Sequence, residues 1–160
     1  MRPSSRRGWK RFSKKADRYD ALKLENQLCF PLYACAREVV KAYTPYLDEL
    51  GITYTQYVTM MVLWEHKQIT SKLLGQKLHL DSGTLTPVLK KLEEKGYLTR
   101  HRLPEDERNL CVEITDEGMA LREKALIVPQ RMAASCAQLS PEEAGALYGL
   151  LYKLLDKYQG

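Results

Sequence analysis

Cys29, Tyr33, Ala36, Val40 and Tyr43 fall on one stripe of a helix, within roughly a quarter of its circumference at ~3.6 residues per turn. A thiol therefore shares a face with two phenols. Pro31 cannot donate a backbone hydrogen bond and is best tolerated in a first turn, so Cys29 is expected near the helix start. There the positive end of the helix dipole favours a thiolate, and hence a reactive sulfur. Tyr33, one turn away, can hydrogen-bond that sulfur. Tyr43 lies about 21 Å further along the same helix at 1.5 Å per residue, so it can reach a Cys29 only from another subunit. The competing reading is packing, since a lone helical cysteine often serves as a small buried hydrophobe.

A second group of residues has spacing suited to duplex DNA. Leu85, Val88, Leu89 and Leu92 follow the i, i+3, i+4, i+7 pattern of one buried stripe, which turns Thr86, Lys90, Lys91 and Glu94 outward. Upstream, Thr70 is placed to cap a helix through Leu73, Leu74 and Leu78, and His79 to Gly83 supplies a turn. Downstream, Gly96 stands where a left-handed cap is wanted, and a strand begins over Tyr97–Arg102. Leu110, Val112 and Ile114 then alternate with Cys111, Glu113 and Thr115, the period of a half-buried strand. Pro104-Glu105-Asp106-Glu107-Arg108 between the strands predicts a short, stiff wing with Arg108 near its tip.

A helix about as wide as the major groove can read base edges, and an arginine on a narrow finger can enter the minor groove. The candidate DNA contacts are Ser82, Thr84, Thr86, Pro87, Lys90 and Lys91, with Arg100, Asp106 and Arg108 around the wing. Taken alone, Lys90, Lys91, Glu93 and Glu94 read as a solvated helix face; the attached wing favours DNA. Pro87 implies that the helix begins late, near Thr86, or that its first turn is irregular.

These parts need a scaffold. The expected fold is mainly α with a small β-hairpin wing: a winged helix-turn-helix over 55–118, between N- and C-terminal helices over 22–50 and 119–158 that form an intertwined dimerisation region. Ser140-Pro141-Glu142-Glu143 is a capping box with proline at the first helical position, and Leu147, Leu150, Leu151, Leu154, Leu155 and Tyr158 follow on one side. Leu121, Ala125, Pro129, Met132, Cys136 and Leu139 make another stripe. Such stripes exceed what a small reading head can cover, so a homodimer is expected, with two heads on a pseudo-palindromic site. A monomeric helical domain is the alternative.

Bulk charge adds little to the case for DNA. Residues 1–23 hold nine Lys or Arg against Asp17 and Asp20, so they carry +7 of an overall +5 and leave −2 for the rest. Residues 1–21 are expected to be a disordered basic tail, adding salt-screened phosphate attraction or only solubility. The longest apolar runs, around Val58–Trp64 and Leu147–Leu155, are too short and interrupted to cross a bilayer, and no signal-peptide core is present. Four cysteines without close pairing suggest neither a disulfide scaffold nor a zinc site. The expectation is a cytoplasmic protein without metal or cofactor.

Leu24-Glu25-Asn26-Gln27-Leu28-Cys29-Phe30, Leu80-Asp81-Ser82-Gly83-Thr84-Leu85-Thr86-Pro87 and Asp106-Glu107-Arg108 resemble the MarR-type winged-helix repressors of the organic hydroperoxide-sensing branch. The resemblance spans about Leu22–Tyr158. The wing motif marks the superfamily, and the first two strings are more specific. The resemblance implies a dimeric repressor, not an enzyme, that binds a double-stranded operator when reduced and releases it on oxidation. It implies that Cys29 is the thiol attacked by organic hydroperoxides, with Tyr33 and a partner subunit's Tyr43 as its phenols and Arg108 as the minor-groove finger. A sulfenic acid would then condense with a second thiol, either a small cellular thiol or Cys136, the better-placed resolving candidate. Packing in the dimer core is an equal reading of Cys136, and Cys35 and Cys111 are poorly placed. The main alternative is a MarR-type regulator responding to a small aromatic or phenolic ligand, with Cys29 only structural. A thiol peroxidase and a protein-interaction module are the rivals from other classes.

Overall fold

The computed structural model describes residues 18–103, 106–133 and 138–158, with side chains left aside at 103, 106–109 and 158. Most of the basic tail therefore lies outside the described residues, as do Pro104, Glu105 and Cys136. The chain divides into two units, one ending at Lys41 and the other beginning at Ala42.

The first unit opens with two 3-10 turns, Asp20–Leu22 and Leu24–Asn26. The Asn26 amide donates to the Asp20 carbonyl at 2.8 Å, and the Gln27 amide donates to that of Ala21, which folds this segment back on itself. Helix α1 follows over Cys29–Glu49 and runs on into the second unit. Its start at Cys29 puts Pro31 in the first turn, as expected, where a missing N–H costs nothing.

The second unit holds the core. After α1 come α2 (Tyr54–His66), β1 (Gln68–Thr70), α3 (Ser71–Leu78), α4 (Ser82–Glu94), β2 (Leu98–Leu103), β3 (Asp106–Ile114), α5 (Asp116–Ala125), α6 (Ile127–Ala133) and α7 (Pro141–Leu155). Helix α2 starts with a capping box in which Thr53 and Gln56 satisfy each other's backbone N–H groups. Leu63 and Met60 of α2, Leu74 of α3, Leu85, Leu89 and Leu92 of α4, Leu98 of β2 and Val112 of β3 bury together. Each leucine fully buried in this way stabilises by roughly 1.5–3 kcal/mol. The leucine stripe of α4 thus anchors as expected, with Val88 half-buried at its edge.

Five sequence expectations need correction. The sheet has a third strand: β1 pairs antiparallel with β3, giving the order β1-β3-β2. Thr70 both ends that strand and caps α3 by accepting the Leu73 N–H. Cys111 faces away from Val112, as alternation requires, but β1 covers it, and it is buried rather than wet. The wing connection is shorter than expected, since β2 reaches Leu103 and β3 resumes at Asp106. Helix α4 begins at Ser82, not near Thr86, because Asp81 caps it and Pro87 is tolerated inside.

The fifth concerns the stripe from Leu121 onward. It is not one helix: α5 ends at Ala125 and α6 starts at Ile127. Leu121, Ala125, Val128 and Met132 bury in this chain's own core, while Pro129 is exposed. Burial in this chain accounts for the stripe only as far as Met132, since Leu139 is exposed and Cys136 lies outside the described residues. Helix α7 behaves as expected: its capping box is formed, and it buries no residue in this chain.

Candidate nucleic-acid interface and thiol site

The outward face of α4 is set by its cap. Asp81 accepts the Thr84 N–H through Oδ1 at 2.8 Å and the Thr84 hydroxyl through Oδ2 at 2.8 Å. The backbone and then the hydroxyl of Thr84 hold this carboxyl below the usual carboxylate range, so the cap is anionic near neutrality and complements the helix dipole. The Thr86 hydroxyl donates to the Ser82 carbonyl at 2.7 Å. Ser82, Gly83, Thr84, Thr86, Pro87, Lys90 and Lys91 are all exposed. Lys90 lies 3.9 Å from Glu94 one turn on, a loose surface pair. The helix-turn-helix borders an open groove of about 1030 Å³, lined among others by Lys72, Gln76, Ser82, Thr86 and Arg100.

Arg100 does not stand free in that groove. Its Nε and Nη2 donate to Glu93 Oε2 at 2.9 and 2.6 Å, and its backbone N–H donates to Oε1 at 3.0 Å. One carboxylate thereby ties α4 to β2. Glu93 is the residue that the sequence reading missed, having been grouped with a solvated face; its half-burial comes from β2 folding back over it. A second tie holds the end of α4, where Lys95 Nζ donates to the Gly51 carbonyl at 2.6 Å. Gly96 has φ +75°, the left-handed turn expected of it. The side chains of Asp106 and Arg108 lie outside the described residues, although both positions belong to the backbone of β3.

The thiol candidates separate clearly. In the first unit, Cys29 is the first residue of α1 and is exposed, as is Cys35. Tyr33, one turn beyond Cys29, is 61% exposed, with the Arg37 guanidinium 6.0 Å from its ring centre. In the second unit, Cys111 takes a hydrogen bond from the Gln68 amide at 3.1 Å. Tyr43 is half-buried against Tyr54 and Tyr57, with ring centres 5.0 and 6.0 Å away. Burial, then the neighbouring phenols Tyr43 and Tyr54, raise the Tyr57 pKa, so the Tyr57 phenol is neutral near pH 7. Beside it is a small cavity of about 280 Å³ walled by Tyr57, Met61, Trp64, Glu65, Arg122 and Pro129.

Among the described residues no three or more His, Cys, Asp or Glu side chains gather as a metal site, and no helix is long and apolar enough to cross a membrane.

Residues 41–125 match the family model of the transcriptional regulator SarA/Rot. The chain is 48% identical over 140 residues to an organic hydroperoxide resistance transcriptional regulator of Bacillus subtilis, covering 88% of this chain and 95% of that one. Among solved structures, it superimposes on reduced AbfR bound to DNA with a TM-score of 0.70 and 35% identity, covering 87% and 96% of the two chains. AbfR is a Staphylococcus epidermidis protein, and its overoxidized form bound to DNA has also been solved. A mutant MarR from E. coli complexed with operator DNA gives a TM-score of 0.76 at 26% identity, covering 88% and 99%.

Proposed function

Because this chain belongs to the MarR-type winged-helix transcriptional regulators, with an organic hydroperoxide resistance regulator among its relatives, we propose that it is a homodimeric repressor switched by oxidation of Cys29. Reduced, it binds a pseudo-palindromic operator with α4 in the major groove and the wing beside the minor groove. The observation that carries the sensing half is the exposed thiol at the first residue of α1, with a phenol one turn on. A relative solved both in reduced form on DNA and in a disulfide-formed state supports a thiol-based switch.

The chemistry balances without a cofactor. The Cys29 thiolate attacks one oxygen of an organic hydroperoxide; an S–O bond forms, the O–O bond breaks, and the departing alkoxide takes a proton to leave as an alcohol. Sulfur is oxidised to sulfenic acid and the peroxide is reduced. A second thiol, from a small cellular thiol or Cys136, then displaces water to form a disulfide. The new bond shifts the dimer so that its two heads lose register with the operator.

Cumene hydroperoxide should release the reduced protein from DNA upstream of its own gene in a gel shift, and Cys29→Ser should stay bound. Release of the variant at the same peroxide dose would remove the thiol from the mechanism. The 280 Å³ cavity favours a second reading, in which a small aromatic acid binds there with Arg122 facing its carboxylate. Benzoate would then release wild type and Cys29→Ser alike.

A further inference from the structure

The chain passes between its winged part and the flanking helices at two places, the turn after α1 and the start of α5. Both places bond to consecutive residues at the far end of α4 from Ser82. On the α1 side, Lys95 Nζ donates to the Gly51 carbonyl at 2.6 Å. On the α5 side, the Thr115 hydroxyl donates to the Gly96 carbonyl at 2.6 Å and accepts the Gly118 N–H at 3.1 Å. The residue that caps α5 thereby seats it on α4. Neither bond ends on loose chain, because α1 and α4 close in the same way. The N–H groups of Ile52 and Gly51 donate to the carbonyls of Leu47 and Asp48 at 3.1 and 3.0 Å, and those of Tyr97 and Gly96 donate to Leu92 and Glu93 at 3.0 and 2.8 Å. Gly51 and Gly96 supply the left-handed residue of each cap, at φ +66° and +75°. Lys95 thus bridges two fixed helix ends. Its side chain is exposed, so it fills no core.

We infer that this cap is the joint that sets the tilt of α4, and that Lys95 is the positioning residue on its α1 side. Helix α4 has 13 residues, so at 1.5 Å per residue its first turn lies about 20 Å from the joint. A tilt of about 10° moves that turn by about 3.4 Å, one base-pair step. Two such helices, one per subunit, measure the distance between half-sites. A bond remote from the DNA therefore governs their register on it. This role rests on the reading proposed above, a dimer on two half-sites.

The test starts from a symmetric duplex selected from a random-sequence pool with the reduced full-length protein, then inserts or removes one base pair between its half-sites. Wild type should bind the altered duplexes about tenfold more weakly than the selected one. Lys95→Met keeps the aliphatic stem and loses the donor. It should bind the selected duplex about fivefold more weakly than wild type does, and the altered ones within about twofold of that. Lys95→Arg restores a donor and should restore the discrimination. Loss of a charge alone, or of general stability, would weaken binding to every duplex alike and leave the ratio at about ten. That result would overturn the inference while leaving DNA binding intact, as would a wild type indifferent to spacing or an arginine variant that behaves like methionine. Recovery of no duplex by the wild type would sink both.

Discussion

Glu93 holds Arg100 at three points, taking its backbone N–H on one oxygen and two guanidinium nitrogens on the other. The contact joins the reading helix to the first wing strand, so the angle between them depends on it. The hydrogen bonds from the Arg100 side chain, with its charge, hold the Glu93 carboxyl below the usual range. A carboxyl with a depressed folded-state pKa contributes stability above its unfolded pKa and loses it as pH falls through the folded one. Stability from this pair is therefore present at neutrality and fades in acid. Both side chains are partly exposed, so Glu93→Gln should cost about 1 kcal/mol at pH 7 after screening, less at pH 3, by urea denaturation. If the variant loses as much at pH 3 as at pH 7, the ion pair is not the cause.

The same tie predicts an asymmetry in DNA binding. With its guanidinium held by Glu93, Arg100 adds little phosphate attraction, whereas Lys90 and Lys91 stand exposed on α4. Each phosphate contact contributes about 0.9 to the slope of log affinity against log salt. Lys91→Met should lower the slope by about that amount per subunit, and Arg100→Met should change it by less than half as much. A larger slope change for Arg100 would mean that it leaves Glu93 on binding DNA.

Gly118 sits on the first turn of α5, directly under the Tyr97 carbonyl, which a Cβ at that position would strike. Its own carbonyl accepts the Trp64 indole N–H at 2.8 Å, pinning α5 to α2. Because the obstacle is backbone, relief requires moving β2 or α5. Gly118→Ala should therefore destabilise by about 3 kcal/mol or more, seen as a fall in thermal midpoint. A change under 0.5 kcal/mol would mean that the two backbones separate easily.

The thiols should separate by access. Cys111 lies behind β1 with its sulfur on the Gln68 amide, whereas Cys29 is exposed at the start of α1. Iodoacetamide should modify Cys29 in the folded protein within minutes and Cys111 only on the timescale of unfolding, read by peptide mass spectrometry. Fast labelling of Cys111 would show β1 opening freely. Removing the Gln68 side chain from the sulfur with Gln68→Ala should speed its labelling.

Much of this architecture is legible in the residues because local signals and tertiary packing agree. The α4 leucines, Gly96, the Thr70 cap and the Ser140 capping box each specify their element within a few residues. What escaped was mainly non-local. The Gln68–Thr70 strand is three residues long and exists through pairing with Glu113, Val112 and Cys111, more than forty positions away. The burial of Cys111 follows from that strand and was lost with it. The break at Leu126 has a local cause that the stripe passed over: Pro129 has no N–H for the Ala125 carbonyl, and its ring crowds that turn. Glu93 was misread because a carboxylate on a charged helix face looks solvated until the next strand folds over it. The candidate thiol was easier to find, since proline, cysteine and tyrosine sit within five residues.

Helix α7 buries nothing in this chain although its leucines dominate one side: Leu147, Leu150, Leu151, Leu154 and Leu155 are all 37–60% exposed. Contiguous apolar surface of this kind marks an interface. On the dimer reading, these leucines supply much of the contact between subunits, while the winged core from Ile52 to Met132 stands on its own burial. Leu150→Asp combined with Leu154→Asp should then yield a monomer by light scattering, with the thermal transition of the core retained. Affinity for a two-half-site operator should fall at least a hundredfold, because a single head loses the linked second contact. A variant that remains dimeric would place the subunit contact elsewhere, and one that fails to fold would show that α7 serves this chain's own core.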